Sequence, residues 1–184
     1  WSKYAVFTPT KGVGQNAALA PVNSQVVNTR DKILEIAQKV TQLIQDAKII
    51  PPGKTDLEIS HHYGLENFDD TGLTMLTLVN RGYCKKLLIS LPGQSHPEQY
   101  HKLKDETFHV LCGEVDIYLN GEKKSCKPGD VVHIDPEVRH SFHTTSGCII
   151  EEISSTHFKD DSFYTDPVIT QNKSRKTLLT YWMG

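Results

Sequence analysis

The residues best suited to chemistry lie in a polar stretch between residues 93 and 113. This stretch carries an amide, an imidazole and a carboxylate, namely Gln99, His101 and Glu106. Side chains two residues apart on an extended strand point to the same side, so Gln99 and His101 can converge on one point. A second imidazole, His140, follows downstream. Two imidazoles and a carboxylate, with an amide as a possible fourth donor, form a ligand set for a first-row divalent metal.

The elements that must position these residues are short strands. Runs rich in β-branched and apolar residues occupy 73–79, 87–91, 107–112, 114–119, 131–134, 141–144 and 148–153. Asn120-Gly121 is a strong signal for a tight hairpin. Many short strands separated by turns favour a sandwich or a closed jelly roll.

A helix is predicted ahead of the strands. Apolar residues spaced three and four apart run from about Asp31 to Lys48, and Asn28 or Thr29 can cap the first turn. We therefore divide the chain into four parts. These parts are an extended arm at 1–28, a helix and linker at 29–60, a barrel at 61–155, and a tail at 156–184 that packs on the barrel.

The spacing of the candidate ligands resembles the two motifs of the cupin superfamily. The first motif reads Gly, five residues, His-x-His, four residues, Glu, six residues, Gly, and the second ends in a Pro-x-Gly turn and a His. The positions in register are Gly93, His101, Glu106, Gly113, Gly129 and His140. Gln99 replaces the first His, while Asp135 and Glu137 stand where the turn usually has Pro and Gly. The resemblance implies an all-β jelly-roll barrel, or double-stranded β-helix, with an N-terminal α-helix.

Within the cupins, residues 61–169 are similar to the D-lyxose isomerase family. The likeness rests on Tyr63-Gly64-Leu65, Tyr83-Cys84-x-Lys86, Leu91-Pro-Gly-Gln94, Pro97-Glu98, Glu106-Thr-Phe108, Glu152-x-Ser-Ser-Thr156 and Thr165-Asp-Pro167. It implies aldose–ketose isomerisation of a small sugar such as lyxose or mannose through an enediol. Similar cupin modules occur in multidomain proteins of the sialic acid synthase type. The alternatives are therefore a non-catalytic sugar-binding or regulatory module, or a structural cupin without a metal.

The resemblance also implies roles for single residues. His101, Glu106 and His140 would hold manganese, iron, zinc or nickel, with Gln99 as a weaker neutral donor or as part of a site without metal. His96 is a spare ligand candidate.

Three further residues are the candidate catalytic groups. Glu152 alternates with Ile150 on its strand and would be the base, unless its neighbour Glu151 is the buried carboxylate. Lys86 would neutralise a developing alkoxide, or else be a solvated lysine at a strand end. Asp166 would close the pocket, or simply cap a turn.

Charge and composition limit the classes of binding partner. The 184 residues carry 20 basic and 22 acidic side chains, a net charge of −2, without a basic run that would favour nucleic acid or a membrane surface. The four cysteines form no C-x-x-C pair, which argues against a zinc ribbon, and the cytoplasm is the expected compartment. The first residue is Trp, so we expect a processed chain or part of a longer one. The expected partners are a small sugar and a second copy of the chain, because exposed sheet edges need cover.

Overall fold

The computed structural model describes residues 24–180 and 182, with side chains from Thr29 onward. In chain order, the elements are α1 (Ser24–Asp46), β1 (Leu57–His61), a 3₁₀ turn (Leu65–Asn67), α2 (Phe68–Thr71), β2 (Gly72–Asn80), β3 (Cys84–Ser90), β4 (Ser95–Tyr100), β5 (Glu106–Gly113), β6 (Val115–Leu119), β7 (Glu122–Cys126), β8 (Val131–Ile134), β9 (His140–His143), β10 (Cys148–Ser154), β11 (Phe163–Tyr164), α3 (Pro167–Gln171) and β12 (Lys176–Leu179).

The strands form two antiparallel sheets that pack against each other. One sheet has the order β12-β1-β2-β3-β10-β5-β8 and the other β11-β4-β9-β6-β7. The apolar core between them comes from both sheets: Leu73, Leu88, Phe108, Val110, Val115, Ile117, Cys126, Val132, Ile134, Phe142, Cys148 and Ile150. This arrangement confirms the predicted jelly roll with a helix on its N-terminal side.

A second core lies between α1 and the outer face of the larger sheet. Leu87, Ile89 and Ile149 pack there with buried residues of the helix. Leu88 and Ile150 point the other way, into the barrel. Strands β3 and β10 are thus apolar on both faces, and a one-residue slip would turn every side chain to the wrong side. Burial fixes their register, and with it the direction of the polar side chains on the same strands.

Helix α1 begins at Ser24, earlier than predicted. Asn28 and Thr29 lie inside the helix, so neither caps it, and the predicted start at Asp31 was wrong. No glycine or proline stands between residues 24 and 31 to end the helical conformation. The helix ends close to its predicted end, because Lys48 adopts a left-handed φ of 55°. Residues 24–28 therefore belong to the helix, and the rest of the predicted arm lies outside the described residues.

Five strands were not among the runs predicted from the sequence, namely β1, β4, β7, β11 and β12. Strand β4 lies in the polar stretch of the candidate ligands and was not predicted as a strand, because it contains Pro97 and few apolar residues. The register between β4 and β9 shifts between His96 and Gln99, and such a bulge accommodates a proline that cannot donate to the ladder. Strand β7 is largely charged and exposed, as edge strands often are.

A tight turn and the C-terminal part complete the barrel. Asn120 and Gly121 both have positive φ, 48° and 86°, as the predicted tight hairpin between β6 and β7 requires. Strands β11 and β12 add to β4 and β1, and Trp182 donates its indole N–H to the Thr55 carbonyl at 2.9 Å. Among the described residues, no helix combines the length and apolar character needed to cross a membrane.

Candidate metal centre and active site

His101, Glu106 and His140 meet at one end of the barrel. Glu106 opens β5 and His140 opens β9, while His101 follows β4 directly. One ligand atom from each lies within 4.8 Å of the other two. The Nε2 atoms of His101 and His140 lie 3.4 Å and 3.2 Å from the two carboxylate oxygens of Glu106. The three candidate ligands thus form one compact, buried group.

The surrounding backbone fixes the protonation pattern of both imidazoles. Nδ1 of His101 contacts the carbonyl of Asp161, and Nδ1 of His140 lies 3.0 Å from the carbonyl of Val138. A carbonyl can only accept a hydrogen bond, so in each ring Nδ1 carries the proton. In the neutral imidazole, the lone pair of Nε2 then points toward Glu106.

This geometry fits a bound cation. Two nitrogen lone pairs face a carboxylate, so acceptors face acceptors, and both His101 Nε2 and Glu106 Oε2 lack a hydrogen-bond partner. Burial lowers the pKa of His140, so the neutral form that can bind a metal is favoured. A proton or a divalent metal between these atoms would relieve the conflict, and imidazole with carboxylate suits first-row metals.

Gln99 and His96 occupy different places in the barrel. The amide Nε2 of Gln99 lies 3.4 Å from Nε2 of His140, at the edge of the ligand group. His96, the spare ligand candidate, stacks on Phe142 with ring centroids 4.8 Å apart and meets His62 edge-on. His96 is therefore not part of the group formed by the three ligands.

A second buried carboxylate, Glu152, lies beside this group. It pairs across the sheet with Lys86 and Phe108, on the face that Ile150 also presents to the barrel interior. Nζ of Lys86 lies 3.8 Å from its Oε1, so this lysine is buried rather than solvated. Glu151 points outward instead and forms an ion pair with Lys85 at 2.7 Å.

Lys104 links the two carboxylates, and the sequence prediction missed it. Its ammonium contacts Oε1 of Glu106 directly and lies 3.0 Å from Oε1 of Glu152. Burial opposes a charged lysine, but the two carboxylates outweigh it and raise the pKa of Lys104. Burial likewise opposes a charged Glu106, but the neighbouring His101 and the charge of Lys104 hold the pKa of Glu106 well below the usual range. Lys104 thus helps to keep Glu106 ionised inside the barrel.

Asp166 is not brought into this network. Its Oδ1 accepts the Val168 N–H at 2.8 Å and caps α3, and its Oδ2 accepts the Tyr63 hydroxyl at 2.6 Å. None of these contacts involves a residue of the ligand group. These contacts are those of a capped turn, and they give no support to a catalytic role for Asp166.

The group is closed to solvent. Lys86, His101, Lys104, Glu106, His140 and Glu152 are each at most 5% exposed. A cavity of about 280 Å³ is lined by residues 52–56 with Thr180 and Trp182, and it shares no residue with the group. A small molecule can therefore reach these side chains only if neighbouring groups move.

Comparison with known proteins agrees with this geometry. Residues 87–150 match the model of the cupin domain. The D-lyxose/D-mannose isomerase of Thermosediminibacter oceani is 32% identical, over 76% of this chain and 94% of that protein. The chain belongs to the D-lyxose isomerase family of cupins. A second member of this D-lyxose isomerase family, the D-lyxose ketol-isomerase of Cohnella laeviribosi, is 27% identical over 73% of this chain and 91% of its own.

A solved structure extends the likeness at the level of the fold. The L-ribose isomerase of Cellulomonas parahominis, determined with L-ribose, superimposes with a TM-score of 0.64. That alignment covers 77% of this chain and 94% of the other, at 13% sequence identity. The D-lyxose isomerase family and this enzyme thus share one barrel.

Proposed function

We propose that the chain is a metal-dependent aldose–ketose isomerase acting on a small sugar such as lyxose or mannose. One observation carries the proposal: a set of three metal-binding side chains lies beside a second buried carboxylate, Glu152, inside a barrel of the D-lyxose isomerase family. A divalent ion held by His101, Glu106 and His140 would supply a Lewis acid that polarises the carbonyl and neighbouring hydroxyl oxygens of the sugar.

In this proposal Glu152 is the base. It removes the proton from the carbon next to the carbonyl, which leaves an enediolate, and returns a proton to the former carbonyl carbon, while the hydroxyl proton passes from one of the two sugar oxygens to the other. Lys104, Lys86 and Ser154 all contact its Oε1. Those contacts orient the carboxylate and leave Oε2 to receive the proton.

Two buried lysines would control charge during the reaction. Lys86 and Lys104 both approach Glu152, and Lys104 also binds Glu106. Their ammonium groups stabilise the negative charge that builds up on the sugar oxygens as the enediol forms. Because these groups are buried, water screens them little, and their effect on the barrier is correspondingly larger.

The test follows the proton of the substrate. Metal-loaded protein incubated with lyxose or mannose in deuterated water should give the matching ketose, with deuterium at the carbon that exchanges. Glu152→Gln keeps the shape but removes the base, so kcat should fall by a factor of about 100 or more while sugar binding persists. The matched control is Glu151→Gln, whose partners Lys85 and His109 lie on the outer face. Equal activity of Glu152→Gln and the wild type would exclude this role of Glu152.

Gln99 favours a second candidate function, a sugar-binding module without turnover. A neutral amide lies 3.4 Å from His140, at a position where the cupin motif has an imidazole, and it is a weaker metal ligand. Failure of several aldoses to react, combined with calorimetric binding of one of them, would support this module over the isomerase.

A further inference from the structure

Asp161 carries a buried carboxylate that accepts hydrogen bonds from backbone N–H groups. These groups belong to the loop between His101 and Glu106. The carboxylate accepts the N–H of Lys102 at 2.9 Å, that of Leu103 at 3.1 Å and that of Lys104 at 3.0 Å. Among the described residues, no ion pair joins Asp161 to a lysine or arginine. Burial would raise the pKa of Asp161, but these three hydrogen bonds outweigh it and lower the pKa, so the group is a carboxylate at neutral pH.

The same residue also contacts a candidate metal ligand. Its carbonyl oxygen receives Nδ1–H of His101, which leaves the lone pair of Nε2 facing Glu106. Asp161 therefore holds the loop at both ends: through its carbonyl it fixes the ring of His101, and through its carboxylate it fixes the backbone that delivers Lys104.

Contacts outside the 102–104 loop also hold Asp161 in position. Its own N–H donates to the Phe158 carbonyl at 3.2 Å. Just downstream, Phe163 and Tyr164 pair with Tyr100 and Gln99 of β4. Because strand pairing anchors the segment, removal of the carboxylate should release residues 102–104 without detaching the segment from the barrel.

We propose that Asp161 is a positioning residue of the metal centre, holding His101 and the 102–104 loop in the arrangement that binds the ion. This inference rests on the proposed metal site. A carboxylate that accepts three N–H groups pre-orders the loop before the ion arrives, so less conformational freedom is lost on binding. Groups that orient metal ligands from behind are typically worth about 10-fold to 100-fold in metal affinity.

The test compares neighbouring aspartates. Asp161→Asn and Asp161→Ala remove one or both carboxylate oxygens, whereas Asp160→Asn makes the same change at an exposed position beside them. The probe is Co²⁺, whose visible absorption reports both affinity and ligand geometry. We expect Asp161→Asn to bind Co²⁺ about 10-fold more weakly with an altered spectrum, and Asp160→Asn to match the wild type.

A second readout needs no metal. Hydrogen exchange of the Lys102, Leu103 and Lys104 amides should be faster in Asp161→Asn and unchanged in Asp160→Asn, and this holds even if Asp161→Ala fails to fold. Wild-type affinity and spectrum in a folded Asp161→Asn variant would overturn the positioning role while leaving the metal centre intact. Absence of Co²⁺ binding by the wild type would instead overturn the metal centre, and this inference with it.

Discussion

The chemistry of the site depends on which nitrogen of each histidine carries its proton. The carbonyls of Asp161 and Val138 each hold one Nδ1–H, so both Nε2 lone pairs are directed at Glu106. Neither carbonyl belongs to a residue that a motif would single out. The metal-binding form of the rings is therefore a property of the backbone path around them.

Gln99 should limit how tightly the metal binds. Gln99→His places an imidazole beside His140, and because imidazole is a stronger donor than an amide, occupancy should rise about tenfold or more. His140→Ala removes a ligand and should lower occupancy sharply. Elemental analysis after dialysis against limiting manganese, iron, zinc or nickel measures both changes. An unchanged affinity in Gln99→His would show that Gln99 does not contact the ion.

Sequence pattern could have found Lys104 but not Asp161. Lys104, Glu106 and Phe108 are two residues apart and share one face, as period-two spacing requires, so the position of Lys104 could have been predicted. Asp161 lies 57 to 59 residues beyond the amides it binds, in a polar stretch without periodicity. Only the tertiary fold brings Asp161 to the amides of residues 102–104.

The turn before β9 ties the two halves of the ligand set to each other. The Glu137 N–H donates to the carbonyl of His101 at 2.6 Å, and the Val138 carbonyl orients His140. Glu137 has a φ of 67°, a left-handed conformation that favours glycine, which is the residue usual at this point of the motif.

Relief of that conformation should stabilise the protein. In Glu137→Gly the left-handed strain of roughly 1–2 kcal/mol disappears, and the extra freedom of glycine in the unfolded chain takes back roughly 0.5–1 kcal/mol. The free energy of unfolding should rise by about 0.5–1 kcal/mol, measured by urea titration. Asp135→Gly, in the same turn but without positive φ, should lower it. A lower stability of Glu137→Gly would show that its side chain contributes more than the strain costs.

Elements with apolar periodicity could be predicted from the sequence, and polar ones could not. Strand β8 was predicted to the residue, and β5 and β10 to within one at each end, because their alternating or continuous apolar residues reflect burial. Strand β4 carries polar side chains that face the site and a proline at a bulge. Its pairing partners, not its own residues, make it a strand.

The whole molecule combines an apolar barrel with buried imidazoles outside the ligand group. His62 contacts Ser60 at 3.2 Å and Tyr164 at 3.0 Å, and its Nδ1 lies 2.6 Å from the Thr71 carbonyl. Burial is the main cause that lowers the pKa of His62 to about 4. The folded protein therefore holds this ring neutral at pH values where the unfolded chain protonates it.

Acid should destabilise the protein through this histidine. Between pH 6.5 and about 4 the His62 ring binds a proton in the unfolded state but not in the folded state. The contribution of the neutral His62 to the free energy of unfolding is therefore fully present above pH 6.5 and is lost as the pH falls toward 4. From pH 7 to pH 5 the loss should be about 2 kcal/mol. Urea unfolding with a chelator present should show a shallower pH dependence for His62→Gln than for the wild type. His133→Gln, an exposed site, should not change it, and equal slopes for all three proteins would contradict the assignment.

Assembly in solution remains a prediction from the edges of the sheets. Strand β8 ends one sheet and β7 ends the other, and Val131 on β8 is exposed. The sequence suggested a dimer on similar grounds, whereas the arm expected to help lies largely outside the described residues.

Because Asp161 holds His101, the site can form only after residues far apart in the chain have been synthesised. His101 and Glu106 leave the ribosome first, His140 follows more than thirty residues later, and Asp161 another twenty after that. A nascent chain that has not yet reached His140 holds only one imidazole and one carboxylate of the ligand group, which is a poor trap for an ion. Because chains emerge at roughly 5–20 residues per second, this incomplete stage lasts seconds. Selection of the proposed metal therefore falls to the finished barrel rather than to the emerging chain.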